Sequence, residues 1–119
     1  MTGDALLEAC TDATSLLVVT GAGVSLASGI PTFRGSDPGA VWANDITELG
    51  TREFFERDPV TSWLWYLRRF AAIGDARPNP AHHALAALER WQLARGREFL
   101  LVTQNVDALH EQAGSQRLV

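Results

Sequence analysis

A short apolar run, Leu16-Leu17-Val18-Val19-Thr20, breaks without a spacer into Gly21-Ala22-Gly23. A continuous run of that length, β-branched at its end, reads as a buried strand of a parallel sheet. Gly21 and Gly23 then let the backbone turn sharply and approach a ligand that a Cβ would hold off. N–H groups exposed in such a turn, and at the start of a helix behind it, favour phosphate or pyrophosphate. A nucleotide carrying phosphates is the first expectation. The dinucleotide fingerprint G-x-G-x-x-G is not met: Leu26 stands where its third glycine belongs, and the next glycine is Gly29. Further on, Gly29-Ile30-Pro31-Thr32-Phe33-Arg34-Gly35 sets a rigid proline, an aromatic ring and a guanidinium between two glycines. That suits a loop folding over a ligand, with Phe33 stacking and Arg34 supplying charge. A surface loop with one buried Phe fits this segment equally well.

A second apolar run, Phe99-Leu100-Leu101-Val102-Thr103, opens directly into Gln104-Asn105-Val106-Asp107 and then Ala108-Leu109-His110-Glu111-Gln112-Ala113-Gly114. Ligands of open α/β sheets bind at the carboxyl ends of the strands, where both polar clusters fall. Taken together, the stretch GAGVSLASGIPTFRG and the stretch TQNVDALHEQAG resemble the two motifs of the sirtuin family, the NAD-dependent protein deacylases, in the same order. The resemblance covers almost the whole chain.

At 119 residues the chain is one domain at most. A hydrophobic content of 46% with 20% charged residues is that of a globular protein and argues against disorder. The net charge of −4 leaves no basic footprint for nucleic acid. The single cysteine, Cys10, cannot close an intrachain disulfide, and no C-x-x-C zinc pattern is present. Met1-Thr2-Gly3-Asp4 does not begin a signal peptide, and no stretch approaches the roughly 18 apolar residues of a membrane helix. These features fit a cytoplasmic protein without a membrane partner.

Residues 4–12 read as a helix with Leu6, Leu7 and Cys10 on one face, Cys10 being a small core residue. A strand follows over 16–20, then a helical turn near 25–28. Residues 35–50 read as a long polar loop carrying Trp42, and residues 51–57 as a short helix. Asp58-Pro59 and Asn79-Pro80 are start signals, a capping side chain followed by proline at the first helical position. The first helix runs to about Ile73, with Val60, Trp63, Leu64, Leu67 and Ala71 as its apolar stripe. The second runs to about Ala94, with Ala84, Leu85, Leu88 and Trp91 inward. Residues 99–103 are the second strand, residues 106–113 a short helix, and Arg117-Leu118-Val119 begins another apolar run. The fold expected is α/β: an incomplete Rossmann-like parallel sheet with flanking helices, without a zinc module.

The resemblance implies site roles. Gly21, Ala22, Gly23 and Ser25 match the phosphate-contacting turn. Ser28, Ile30, Pro31, Thr32 and Phe33 match the part of the motif lining the nicotinamide pocket, and Arg34 its arginine. Gln104, Asn105, Val106 and Asp107 match the second motif, where Asn105 would bond the ribose region or a water and Asp107 would accept from the nicotinamide carboxamide. Without a ligand, Asp107 reads as a helix N-terminal charge, worth about 0.3–1 kcal/mol. Tyr66 and Arg69, three apart on a helix, share a face and match a Y-x-x-R that binds the acyl carboxylate in the subgroup removing acidic acyl groups. A solvated arginine on an amphipathic helix is the plain alternative. His82 and His83 are adjacent, point to different faces and make a poor metal pair; His110 is structural.

The resemblance also implies that residues 1–119 are the N-terminal part of a sirtuin catalytic domain. The general-base histidine and a zinc module would then lie beyond Val119, leaving no catalytic residue and no metal ligand within the chain. NAD and acyl-lysine proteins are the implied partners. The chain alone is expected to be inactive, with succinyl or malonyl favoured over acetyl in the whole enzyme. The alternatives are a non-catalytic fragment binding NAD or ADP-ribose, and an NAD hydrolase on the same fold.

Overall fold

The structure, a computed structural model, describes residues 2–32 and 49–119, without the side chains of Arg69 and Ala72. Phe33, Arg34 and nearly all of the loop expected over 35–50, Trp42 included, lie outside the described residues.

Helix α1 spans Gly3–Asp12, opened by Thr2, whose hydroxyl accepts from the Ala5 N–H at 3.4 Å. It buries no residue; Leu6 and Leu7 are exposed and Cys10 is half-buried. Cys10 is therefore not a core residue. It lines a groove of about 470 Å³ with Leu7, Thr11, Ala87, Leu88 and Trp91. The helix is held instead through its last carbonyls, which have no partner within a helix. The buried Gln92 amide donates to Cys10 O at 3.2 Å and Ala13 O at 3.4 Å, and the Arg97 guanidinium donates to Thr11 O and Ala13 O.

Strands β1 (Ser15–Thr20) and β2 (Glu98–Thr103) pair in parallel, from Ser15 opposite Glu98 to Thr20 opposite Thr103. The two strands therefore end level. On the other edge of β2, Leu118 bridges Leu101 in parallel. Leu101 N–H donates to Arg117 O at 2.8 Å, and Val119 N–H donates to Leu101 O at 2.9 Å. The run expected after Arg117 thus lies beside β2, which stands between it and β1. After β1 comes a 3-10 helical segment, Ala22–Ser28, stopped by Gly29 at φ +85°. That left-handed conformation is one a side chain rarely adopts.

Helix α2 (Arg52–Arg57) and helix α3 (Pro59–Gly74) pack on each other. Thr51 caps α2 and Asp58 caps α3, its carboxylate accepting from Thr61 N–H at 3.1 Å. Side-chain and then backbone hydrogen bonds from Thr61 hold the Asp58 carboxyl below its usual value. The stripe expected on α3 is not the face it buries. Val60, Trp63, Leu64 and Leu67 are exposed, and Ala71 with them, while Ser62 and Trp65 are buried. The cause is the packing partner: among the described helices and strands α3 packs chiefly on short α2, which covers a different side.

Helix α4 (Pro80–Ala94) lies on β2. Its inward face also differs from the expected one. His82, Ala86, Glu89 and Gln92 are buried, Leu85, Leu88 and Trp91 half-buried, and Ala84 exposed. Polar side chains take the inner positions because they bond backbone groups there, and a buried polar group without such a partner is costly. Helix α5 is shorter than expected, Leu109–Ala113 instead of 106–113. Its entrance is fixed by Asp107, whose carboxylate takes the Leu109 N–H at 3.2 Å and turns the chain two residues after itself.

Among the described residues the buried hydrophobic side chains are Phe99 and Leu101 of β2 with Ala86 and Leu109, and Phe54 and Trp65 on α2 and α3. Full burial of a side chain such as Leu101 contributes about 1.5–3 kcal/mol. The opposite face of the sheet, with Leu17, Val19 and Leu100, is exposed.

Candidate functional site

Because β1 and β2 end level, the segments following them begin side by side, and their polar residues interlock. Thr20 and Thr103, opposite each other in the register, join through their hydroxyls at 2.9 Å. Gln104 N–H continues the ladder to Thr20 O at 3.1 Å. Above this rung, Ser25 Oγ donates to Asp107 Oδ2 at 2.9 Å. Asn105 Nδ2 donates to Gly21 O at 3.1 Å and to Ser25 Oγ at 3.2 Å. Ser25 is thus donor to one residue of the second motif and acceptor for another, at 1% exposure. Asp107 is 8% exposed, with one oxygen on Ser25 and the other on Leu109 N–H. It serves both as the helix-entry acceptor and as the link between the motifs.

Two histidines complete the cluster beneath. His110 is fully buried, its Nε2 2.9 Å from Thr20 Oγ1. His82, also fully buried, accepts the Asn79 N–H on Nδ1 at 3.2 Å, which puts its own proton on Nε2. The rings stand 4.8 Å apart, tilted by 59°. Burial, the largest cause, lowers the proton affinity of both; for His82 the neighbouring His110 adds to it, and for His110 the Asp107 and Glu111 carboxylates oppose it. His83 is exposed on the other side of the helix.

The two glycines of the turn are not required by backbone conformation. Neither Gly21 nor Gly23 has positive φ. Among the described residues, a Cβ on Gly21 would meet Gln104 Oε1 at an ordinary 3.8 Å, and one on Gly23 would meet nothing within 4 Å. As far as the described residues go, the turn would accept side chains and the space over Gly23 is open. Ile30, Pro31 and Thr32 follow half-buried. Gln104 and Val106 are exposed, outside the interlock. Tyr66 lies on α3, edge-on to Trp65 at 4.8 Å. Arg69 shares its helix, but its side chain lies outside the described residues.

Four contributors are not among the site residues expected from sequence. Asn79 was visible as a helix cap, but its amide also donates to Val24 O at 2.7 Å and Ser28 Oγ at 3.0 Å. Thr20 and Thr103 were read only as strand ends. Glu89, 2% exposed, accepts from Gln116 N–H at 3.0 Å and Arg117 N–H at 3.1 Å, anchoring the segment beside β2. Among the described residues no cluster of three or more His, Cys, Asp or Glu could hold a metal ion.

The Sir2 family model matches residues 21–119. The chain belongs to the Sir2 family. It is 52% identical over 109 residues to an NAD-dependent protein deacylase of Thermus thermophilus, covering 91% of this chain and 42% of that protein. It is 44% identical over 117 residues to an NAD-dependent protein deacetylase of Sulfurisphaera tokodaii, covering 98% of this chain and 43% of that one. Among solved structures, a Sir2 homologue in complex with ADP-ribose superposes with a TM-score of 0.84 at 42% identity, covering all of this chain and 45% of that one. A Sir2 homologue–NAD complex superposes at 0.80 with 41% identity, covering all of this chain and 44% of the other. The Sir2 α/β fold, a parallel sheet with flanking helices, is therefore the fold of this chain. It spans less than half the length of these relatives.

Proposed function

We propose that this chain forms the glycine-loop side of an NAD site and serves the NAD-dependent removal of acyl groups from protein lysine. The observation that carries this reading is the Ser25–Asp107–Asn105 interlock, which draws both motif segments together at the carboxyl ends of two parallel strands. The names of the relatives, NAD-dependent deacylases and deacetylases, and the NAD and ADP-ribose complexes of similar structures support it.

The residues present fit such a ligand. Gly23 is not needed for its φ or by its neighbours, so the open space above it is what its missing side chain provides. Gly21 and Ala22 lie beside it. An ionised carboxylate has about four acceptor sites, and Asp107 uses one on Ser25 and one on Leu109 N–H, leaving capacity for a carboxamide N–H. Asn105 orients Ser25 and the Gly21 carbonyl and faces the ribose region or a water. Ser28, Ile30, Pro31 and Thr32 are assigned to the nicotinamide end on the motif, as are Phe33 and Arg34, which lie outside the described residues. When bound, NAD supplies an ADP-ribosyl group with nicotinamide as its leaving group and the acyl oxygen of the lysine as the attacking atom. Gln104 and Val106 border this site.

Tyr66 and Arg69 carry the acyl preference in this reading, a guanidinium fork and a hydroxyl holding an acidic acyl carboxylate. Two measurements test the assignments. Calorimetric titration with ADP-ribose and with NAD is expected to give saturable heat; its absence overturns the cofactor reading. For a protein carrying this sequence and active on NAD, Arg69→Met is expected to lower kcat/KM on a succinyl-lysine peptide by about ten- to hundredfold while sparing the acetyl peptide. An equal fall on both peptides overturns the acidic-acyl assignment.

A further inference from the structure

The first motif does not stand on β1 alone. Its 3-10 segment, Ala22–Ser28, is tied to two other parts of the chain. Ser25, at its middle, is bound to Asp107 and Asn105, while Val24 and the last residue, Ser28, are bound to Asn79, at the start of α4. Asn79 is 6% exposed and uses every polar atom it has except its carbonyl on this junction. Its Nδ2 donates to Val24 O at 2.7 Å and to Ser28 Oγ at 3.0 Å; its Oδ1 accepts from Ala81 N–H at 2.9 Å; its N–H donates to His82 Nδ1 at 3.2 Å. Helix capping needs only the acceptor oxygen, which serine or aspartate supplies as well. The amide nitrogen is what distinguishes asparagine here, and both its bonds go to the loop.

From this geometry we infer that Asn79 is a positioning residue for ligand binding: it sets the exit of the glycine loop, through Val24 and Ser28, before any ligand arrives. The inference rests on the nucleotide-site reading above. A loop already held in its bound shape loses less freedom on binding, and affinity gains accordingly. Ser28 lies immediately before the left-handed Gly29, so a shift there redirects Ile30, Pro31 and Thr32.

Asn79→Ser and Asn79→Asp separate this role from capping, because both keep a capping oxygen and lose the two donated bonds. Amide hydrogen exchange, read without ligand, is expected to speed up about tenfold at Val24 through Ile30 in both variants. Exchange in β2 and the middle of α4 should stay at the wild-type rate. ADP-ribose affinity is expected to fall about tenfold, the size of one or two ordinary net hydrogen bonds. Unchanged loop exchange, or exchange raised equally everywhere, overturns the positioning role and leaves Asn79 a cap. Loop exchange that responds, in a wild-type protein that binds no ADP-ribose, overturns the nucleotide reading while the tie itself stands. Loop exchange that responds with ADP-ribose affinity unchanged overturns the inference alone.

Discussion

Ser25 Oγ and Asp107 Oδ2 lie 2.9 Å apart although 82 positions separate them in the chain. The bond is buried, so its loss is not repaired by water. Ser25→Ala leaves Asp107 one partner short and deprives Asn105 of an acceptor. We expect a loss of about 1–3 kcal/mol, the cost of an unsatisfied buried polar group. Urea unfolding of Ser25→Ala, Asp107→Asn and the double variant checks it. The double variant should lose less than the sum of the single losses. Strict additivity would mean that the two residues are not coupled.

Gly23→Ala should separate folding from binding. The position has no positive φ and, among the described residues, nothing within reach of a Cβ, so alanine is expected to raise stability by about 0.4–1 kcal/mol by restricting the unfolded chain. ADP-ribose affinity is expected to fall, because the methyl occupies the open space above the loop. A thermal melt and a calorimetric titration of the same sample read the two effects. A variant that is stabilised and binds as well as wild type would remove Gly23 from the site.

The buried histidines predict an acid limit. Both His82 and His110 have proton affinities lowered from the ordinary 6.5, by burial above all. Above about pH 6.5 both folded and unfolded chains hold them neutral, and their contribution is complete. As pH falls below that value the unfolded chain takes up protons that the folded chain refuses, so stability drops until the folded-state values are passed. Urea midpoints between pH 7.5 and pH 5 should fall with acidity, ahead of the carboxylates. His110→Gln should flatten the fall. A flat wild-type profile over that window would contradict the assignment.

Glu89→Ala should release the segment beside β2. Its carboxylate holds the Gln116 and Arg117 N–H groups, and charge-assisted bonds of this kind contribute about 1.5–3 kcal/mol. Exchange at these two amides and at Val119 should accelerate by at least tenfold. Glu89→Gln, which keeps one acceptor oxygen, should give a smaller effect.

Much of the fold was readable because its signals are local. Capping side chains followed by proline marked the starts of α3 and α4 within a residue, and uninterrupted apolar runs marked β1 and β2. The buried faces of the helices were not readable. Periodicity finds the greasiest side of a helix, yet α4 turns His82, Glu89 and Gln92 inward because backbone groups of its own N-cap, of α1 and of the segment beside β2 need partners there. For the site, the motif residues Ser25, Asn105 and Asp107 were in hand, and the strand-end rule put them at one edge. That Asp107 bonds Ser25, that Thr20 pairs with Thr103 and that Asn79 reaches the loop all depend on contacts between distant segments, for which the sequence carries no local mark.

The level ending of β1 and β2 bears on what this architecture tolerates when its length changes. One residue inserted inside either strand would slide its loop by about 3.3 Å against the other and turn every following side chain to the opposite face. Ser25 and Asp107 would then part. A similar insertion between α2 and α3 would leave the paired threonines aligned, since it shifts neither strand and lies before Asn79, where the chain between the motifs takes hold of the loop. Length changes around α2 and α3 are thus tolerated, while the two six-residue strands and α4, which carries Asn79 at its start and lies on β2, keep a fixed count.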